Sequence, residues 1–120
     1  MTVDELRDYC LSKPATTESF PFNETTLVFK VAGKLFALSD IESRPMRVSL
    51  KCEPERAAEL RESYRAIQAA FHMNKTHWNT VTSDGSLRDS FIRELIDHSY
   101  ERVVAGLPKA VRESLPLSSS

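Results

Sequence analysis

The densest group of reactive side chains lies in the second half of the chain, in the string His72-Met73-Asn74-Lys75-Thr76-His77-Trp78-Asn79. Its imidazoles and its ammonium group donate or accept protons near neutral pH when their surroundings tune them, so acid–base catalysis is one chemistry to consider. The sequence offers no nucleophile to go with them. It has no Gly-x-Ser-x-Gly motif, neither cysteine lies near a histidine, and three glycines cannot form a phosphate-binding loop. We therefore assign no catalytic residues and keep an enzyme only as a third alternative.

The same string is a poor candidate for a metal site. His72 and His77 are five residues apart, which on a continuous strand places them on opposite faces. Cysteines or carboxylates that would complete a tetrahedral zinc site are not close in the sequence, and His98 lies on a predicted helix. The sequence therefore predicts neither a metal nor a cofactor.

Nucleic-acid binding fits these residue types better. Residues 25–52 contain five cations against two anions, although the whole chain has 16 Lys and Arg against 17 Asp and Glu. Cations neutralise phosphates, and an indole ring stacks on a base or packs beneath a sugar. The candidate DNA-binding residues are three strand cations and four members of the string, namely Lys30, Arg47, Lys51, Asn74, Lys75, His77 and Trp78.

Other roles are open for the same residues. Lysine and arginine on the solvent face of a sheet keep it soluble and block edge pairing. Trp78 also fits the role of a partly buried aromatic residue that anchors the hairpin, and His77 fits that of a core imidazole that hydrogen-bonds to the backbone. The functional alternative to DNA binding is a protein-interaction or small-ligand module, with a pocket enclosed by His77, Trp78 and Lys51.

Local patterns predict the elements that carry these residues. Thr2 and Glu5 form a capping box at the start of a helix, and Lys13-Pro14 ends it. Two β-rich runs around Ala32-Gly33-Lys34 predict a hairpin. The remaining patterns predict a loop or edge strand in residues 15–23, a strand at 46–52, a helix at 55–64, two short strands around a turn near residues 74–75, a long helix capped by Ser86 and ended by Gly106 and Pro108, and a short helix at 109–115.

Strand alternation then predicts which side chains share a face. With Gly33 and Lys34 as the turn residues, Val31 pairs with Phe36 and Phe29 pairs with Leu38 on the core face. The other face of this hairpin then carries Val28, Lys30, Ala37 and Ser39. On the third strand Met46, Val48, Leu50 and Cys52 point to the core, and Arg47, Ser49 and Lys51 point away from it. One face is therefore core and the opposite face is basic.

Length and composition are those of one globular domain. The chain has 120 residues, 41% of them apolar, and a net charge of −1. The order of elements predicts an α+β fold with an antiparallel sheet covered by helices on one face. We place a single domain at residues 1–116 and a disordered tail at 117–120. The sequence lacks a signal peptide and a membrane span, and Cys10 and Cys52 are expected to be buried thiols, so we expect a cytoplasmic protein with no membrane partner.

The sequence also resembles the MmcQ/YjbR family over nearly its whole length. The most specific match is Met73-Asn74-Lys75-Thr76-His77-Trp78, preceded by Leu50-Lys51-Cys52-Glu53-Pro54. Further matches are Tyr9-Cys10-Leu11-Ser12-Lys13-Pro14, Phe20-Pro21-Phe22, Val28-Phe29-Lys30-Val31, Gly33-Lys34-Leu35-Phe36-Ala37 and Ser99-Tyr100. The chain departs from the family pattern at Arg65-Ala66 and Ala69-Ala70, where proline or glycine is usual.

The resemblance implies a CyaY-like fold, also described as a double-wing arrangement, and carries a DNA-binding label inferred from shape. Iron binding, which a frataxin-like fold would suggest, is not carried over, because acidic residues are not massed on the first helix beyond Asp4, Glu5 and Asp8. The leading hypothesis is therefore a small DNA-binding module.

Overall fold

The computed structural model describes residues 1–70 and 73–115. Predictions about His72 and about the tail at 117–120 lie outside these residues, and the domain boundary at 116 stays a prediction. The helices are α1 (Val3–Leu11), α2 (Pro54–Ser63), α3 (Asp89–Ala105) and α4 (Lys109–Ser114). The strands are β1 (Thr16–Ser19), β2 (Thr26–Val31), β3 (Lys34–Asp40), β4 (Arg47–Lys51), β5 (Ile67–Ala69) and β6 (Trp78–Thr82).

All six strands join one antiparallel sheet in the order β1-β2-β3-β4-β6-β5. Buried side chains of α1, α2 and α3 pack with one face of this sheet in a single hydrophobic core. The helix residues in that core are Leu6, Cys10, Ala57, Leu60, Ile92, Leu95, Ile96 and Val103. The predicted α+β class, with helices covering one face of an antiparallel sheet, is confirmed.

The first helix begins as the sequence predicts. The Thr2 hydroxyl accepts from the Glu5 N–H and the Glu5 carboxylate accepts from the Thr2 N–H, each at 3.1 Å, which completes the capping box. Leu6 and Cys10 are fully buried one helical turn apart. The chain then enters β1, an edge strand, so the expectation of a loop or edge strand in residues 15–23 is confirmed.

The hairpin of β2 and β3 turns one residue earlier than predicted. Ala32 and Gly33 are the turn residues, with φ of 48° and 83°, and Val31 pairs with Lys34. Positive φ at both central positions is the geometry that matches the twist of two antiparallel strands, and glycine adopts it without strain at the second position. The predicted turn at Gly33-Lys34 is therefore wrong.

The register of the hairpin differs as well. Phe29 pairs with Ala37 rather than with Leu38, and Lys30 pairs with Leu35, so Phe36 is the extra residue of a bulge. Phe36 and Ala37 consequently both enter the core, and Leu38 moves to the opposite face. Ala37 was predicted on that opposite face, so this prediction is wrong because a bulge breaks strict alternation. Ser39, predicted there too, pairs with Leu27 on the core side and is buried.

The long helix α3 begins three residues after its predicted cap. The Ser86 hydroxyl donates to the Asp84 carboxylate at 2.6 Å, and Arg88 stands at the N-cap position without a side-chain hydrogen bond. The local Asp84 contact therefore replaces the predicted cap. Along the helix, Ser99 joins the buried stripe, while Phe91 and Val104 are half-buried at its margins.

Candidate functional site

Four of the predicted site residues, Lys30, Arg47, Lys51 and Trp78, share the face of the sheet that points away from the core. On β4 and β6, Lys51 and Trp78 are directly opposite each other, and cross-strand partners of this kind have Cβ atoms about 5 Å apart. Lys30 on β2 shares their face, because Phe29 and Val31 on either side of it point to the core. We name this surface the outer face and define it by Lys30, Arg47, Ser49, Lys51, Trp78 and Thr80.

Arg47 lies on the outer face but at the far end of its strand. It pairs with Thr82, whereas Lys51 pairs with Trp78, four residues further along β4. At about 3.3 Å per residue the two cations are roughly 13 Å apart along the strand. The predicted basic face therefore consists of a pair formed by Lys51 and Trp78, with Lys30 beyond β3 and Arg47 at a distance.

The turn before β6 is built by Asn74. Its side-chain Oδ1 accepts from the Thr76 N–H at 2.9 Å, and its carbonyl accepts from the N–H groups of His77 and Trp78. Asparagine favours such turns because its short side chain replaces a backbone acceptor. The predicted turn near residues 74–75 is thus present, and the amide oxygen of Asn74 serves the turn itself.

Lys75 and His77 flank this turn in different surroundings. Lys75 is exposed, and its carbonyl accepts from Arg61 at 3.3 Å. His77 is half-buried, and its carbonyl accepts from the Cys52 N–H at 2.7 Å, which ties the turn to the end of β4. The buried Nδ1 of His77 has no hydrogen-bond partner within residues 1–70 and 73–115. The alternative of an imidazole bonded to the backbone therefore finds no support at this nitrogen.

Sequence reasoning missed the residue that positions Lys51. The hydroxyl of Ser99, fully buried on α3, accepts from the Lys51 N–H at 2.8 Å and donates to the Phe36 carbonyl at 2.5 Å. The last paired residues of the β3–β4 ladder are Ala37 and Leu50, so the hydroxyl bridges the two backbones where direct pairing stops. A serine inside an otherwise apolar helix stripe is the signal that could have found it.

A second missed residue is Asn79, which follows Trp78 in β6 and points to the core side of the sheet. Asn79 is 3% exposed, and its amide donates to the Ala57 carbonyl of α2 at 3.2 Å. The guanidinium of Arg61 donates to Asn79 Oδ1 at 2.8 Å and also contacts the turn through Lys75. Because a buried amide is stable only when its polar atoms are paired, this network fixes α2 against the start of β6.

The charges of the outer face are not neutralised locally. Within the described part of the chain, neither Lys30, Arg47 nor Lys51 forms an ion pair. The cations that do form ion pairs in the described residues lie elsewhere: at the N-terminus, on α1, in the segment after α1 and on α4. The outer face therefore presents positive charge beside one half-buried indole ring, which suits an anionic partner with a planar group.

The predicted pocket enclosed by His77, Trp78 and Lys51 stays a prediction, because neither His77 nor Trp78 lines the void next to Lys51. A void lined by Lys51, Cys52, Asn79 and His98 holds about 10 Å³, the space of one water molecule. No group of three or more potential metal ligands occurs among the residues that the structure describes. Burial raises the pKa of Cys10 to about 12 and also raises that of Cys52, so both thiols stay protonated at neutral pH. Both cysteines are buried and free, as predicted.

One further absence concerns membranes. Among the helices of residues 1–70 and 73–115, none has the length and hydrophobicity needed to cross a bilayer.

Comparison with known sequences agrees with the motifs. The family model YjbR matches residues 11–102. An Escherichia coli protein described as "Uncharacterized protein YjbR" is 42% identical over 116 residues, which cover 96% of this chain and 98% of that protein. A second Escherichia coli protein, "Uncharacterized protein YbdF", is 34% identical over 100 residues, covering 82% and 81% of the two chains.

Solved structures share the same architecture. A crystal structure of a Deinococcus radiodurans protein with the domain DUF419 superposes with a TM-score of 0.88 at 45% identity, covering 93% of this chain and 86% of that one. A Pseudomonas syringae protein superposes with a TM-score of 0.73 at 30% identity, covering 85% and 98%. The six-stranded sheet and its helices are therefore a shared fold.

Proposed function

The chain belongs to the YjbR family, and from this premise we propose that it binds single-stranded DNA on its outer face. The observation that carries the proposal is the pairing of Lys51 with Trp78 on the sheet face opposite the core that α1, α2 and α3 share. A cation next to an aromatic ring matches the repeating unit of a single strand, in which a phosphate alternates with a base.

The dimensions of the sheet favour a single strand over a duplex. Six strands have five gaps of about 4.8 Å, so the sheet is roughly 24 Å wide. The major groove of B-DNA is about 12 Å wide, which admits a helix or a two-stranded ribbon but not this face. Stacking on Trp78 also needs a base that is not already paired and stacked in a duplex.

The number of available cations limits the salt dependence. If Lys30, Arg47 and Lys51 each neutralise one phosphate, the logarithm of the binding constant falls against the logarithm of salt with a slope of about −2, at roughly 0.7 per phosphate for single strands. Lys75 would make the slope about −3. A slope of −2 corresponds to about a 16-fold loss of affinity between about 50 and 200 mM salt.

Fluorescence anisotropy of a labelled oligonucleotide of about 12 nucleotides tests the proposal, with the matching duplex as a second arm. Trp78 is the single tryptophan of the chain, so quenching of its fluorescence reports directly on stacking. Lys51→Gln should make the negative slope of the logarithm of the binding constant against the logarithm of salt less steep by about 0.7. Trp78→Ala should weaken binding by about 5- to 150-fold, and Trp78→Phe should restore most of it.

Lys109→Gln is the matched control, because Lys109 is an exposed lysine on α4 that pairs with Glu113. It should leave affinity and slope unchanged. Absence of binding at about 50 mM salt, or equal effects of Lys51→Gln and Lys109→Gln, would overturn the proposal. Tighter binding of the duplex without Trp78 quenching would instead show that backbone charge alone is recognised.

Two finer predictions stay attached to this proposal. The double-wing description, which came with the family resemblance, stays a prediction, and so does the cytoplasmic compartment. The alternative of a protein-interaction or small-ligand module without nucleic-acid affinity is what a negative DNA titration would favour.

A further inference from the structure

A second surface of the molecule has the size of a ligand site and lies outside the outer face. It is a cleft of about 720 Å³ between the start of α1, the end of β1 and the loop from β3 to β4. None of the candidate DNA-binding residues lines it. Sites for small organic ligands range from about 300 to 1,000 Å³, so this cleft is large enough to enclose one.

The cleft has an apolar part that is only partly covered. Leu27 and Met46 line the cleft and are almost fully buried, while Ile41 lines it and is half-buried, so Ile41 is the more accessible aliphatic side chain of the three. Beside them, the Phe20 ring is 47% exposed. A large aromatic side chain left in water next to an apolar cleft is a site where a ligand gains free energy by covering it.

Most charges of the lining are already balanced. Arg7 donates from Nε and Nη2 to the two carboxylate oxygens of Glu18, both at 2.6 Å. The Met1 ammonium donates to Ser83 Oγ at 2.7 Å and to the Asp89 carboxylate at 3.1 Å. The remaining acid, Asp4, stands in the first turn of α1, where the helix dipole favours a carboxylate.

Arg44 is the cation of the lining that has no acidic partner in the described part of the chain. Its Nη1 donates to the carbonyls of Ile41 and Ser43, each at 2.9 Å, which holds the guanidinium against its own loop. Nε and Nη2 have no partner among the described residues. A guanidinium held in place with two donors left over is suited to bind a carboxylate or a phosphate.

We propose that this cleft binds a small organic anion, with its carboxylate or phosphate held by Arg44 and its apolar body against Phe20 and Ile41. The site is independent of DNA binding, because its residues and those of the outer face do not overlap.

Titration of the whole protein with three ligands that share one body tests the proposal. These are phenylpropionate, its neutral amide and phenylpropylamine, followed by NMR of the methyl groups of Ile41, Met46 and Leu27. Phenylpropionate should shift the methyl resonances, and the shift should saturate as its concentration rises. The amide should bind about five- to tenfold more weakly, and the amine should bind more weakly than the amide. Phenyl phosphate in a parallel arm distinguishes phosphate from carboxylate as the preferred group.

Two variants connect the affinity to the residues. Arg44→Gln should lower the affinity for the anion to that of the amide, and Phe20→Ala should weaken all the ligands together. Arg112→Gln changes an exposed arginine of α4 that does not line the cleft, and this variant should bind phenylpropionate like the unmodified protein. Unchanged methyl spectra up to the solubility limit of every probe, or equal affinities for anion, amide and amine, would overturn the proposal. Arg44→Gln should leave DNA anisotropy unchanged, so failure here and failure of the DNA proposal are separate results.

Discussion

Replacing Ser99 by alanine tests whether one hydroxyl joins the helix layer to the sheet. Ser99 is fully buried, and its Oγ bridges the Lys51 N–H and the Phe36 carbonyl at 2.8 and 2.5 Å. Alanine removes a single oxygen atom, so the cavity it leaves is small. The loss should come from two backbone groups that keep no partner in a dry environment.

The magnitude follows from those two groups. Each buried hydrogen bond contributes about 0.5–1.5 kcal/mol net, and an orphaned backbone group costs about 1–3 kcal/mol. Partial relaxation of β3 toward β4 at Phe36 and Lys51 offsets some of this cost. We expect Ser99→Ala to lower the free energy of unfolding by about 2–4 kcal/mol, which is roughly 6–15 °C in Tm for a domain of this size.

Urea denaturation followed by Trp78 fluorescence and far-UV circular dichroism measures this loss. The midpoint should fall with an unchanged slope, because the surface exposed on unfolding stays the same. Ser12→Ala is the control, since the exposed Ser12 hydroxyl donates to one carbonyl, that of Tyr9, at 2.5 Å. It should cost less than about 0.5 kcal/mol. Equal losses in the two variants would refute the bridging role of Ser99.

Three further predictions concern the supports of the fold. Nε2 of His98 accepts from the Glu53 N–H at 3.1 Å, and burial followed by two neighbouring arginine charges lowers the pKa of His98. The neutral imidazole of His98 should stabilise the fold fully above about pH 6.5, and this contribution should be lost as the pH falls through the lowered pKa. In His98→Gln, the free energy of unfolding measured at several pH values should therefore depend less on pH. Burial, and then the hydrogen bond to Asp97, raise the pKa of Tyr9 to about 12. Asp97→Ala should therefore lower the pKa of Tyr9 in an ultraviolet titration. The same variant should lower the free energy of unfolding in urea by about 1–3 kcal/mol. Gly33 has a φ of 83°, so Gly33→Ala should cost about 1–2 kcal/mol in thermal denaturation, and an unchanged Tm would show that the turn relaxes.

Much of the fold follows from local patterns of the sequence. The capping box at Thr2, the alternation of β4 and the proline that opens α2 each satisfy a rule that involves only neighbouring residues. The register of the hairpin does not follow in this way. The bulge at Phe36 is stabilised by the Ser99 hydroxyl and by an edge-on contact of the Phe36 ring with Tyr100, both on a helix more than 60 residues later in the sequence.

Some features of the candidate site likewise follow from local sequence patterns, and others depend on residues far away in the sequence. Alternation alone places Arg47 and Lys51 on one face, and the aromatic Trp78 is found by its residue type. That Lys51 and Trp78 are direct partners depends on β4 pairing with β6, a strand about 30 residues away. The role of Asn79 depends on two residues of α2. The Arg61 guanidinium donates to its side-chain oxygen, and the Ala57 carbonyl accepts from its side-chain N–H. Sequence reasoning therefore predicts the members of the face but not their spacing.

The structure also separates motif residues that hold the fold from those that remain available. Lys13 pairs with Asp97 and lies over the rings of Tyr9 and Tyr100. Because Tyr9 belongs to α1 and Asp97 and Tyr100 belong to α3, Lys13 holds these two helices together.

Lys51 and Trp78 are different. Only the backbone of Lys51 is used, through Ser99, while its ammonium carries a charge that no acid among the described residues neutralises. Charges exposed on a protein surface contribute little to the stability of the fold. A partner that supplies an anion and a flat ring would use both groups, which makes the outer face, rather than the other motifs, the place where the proposed function lies.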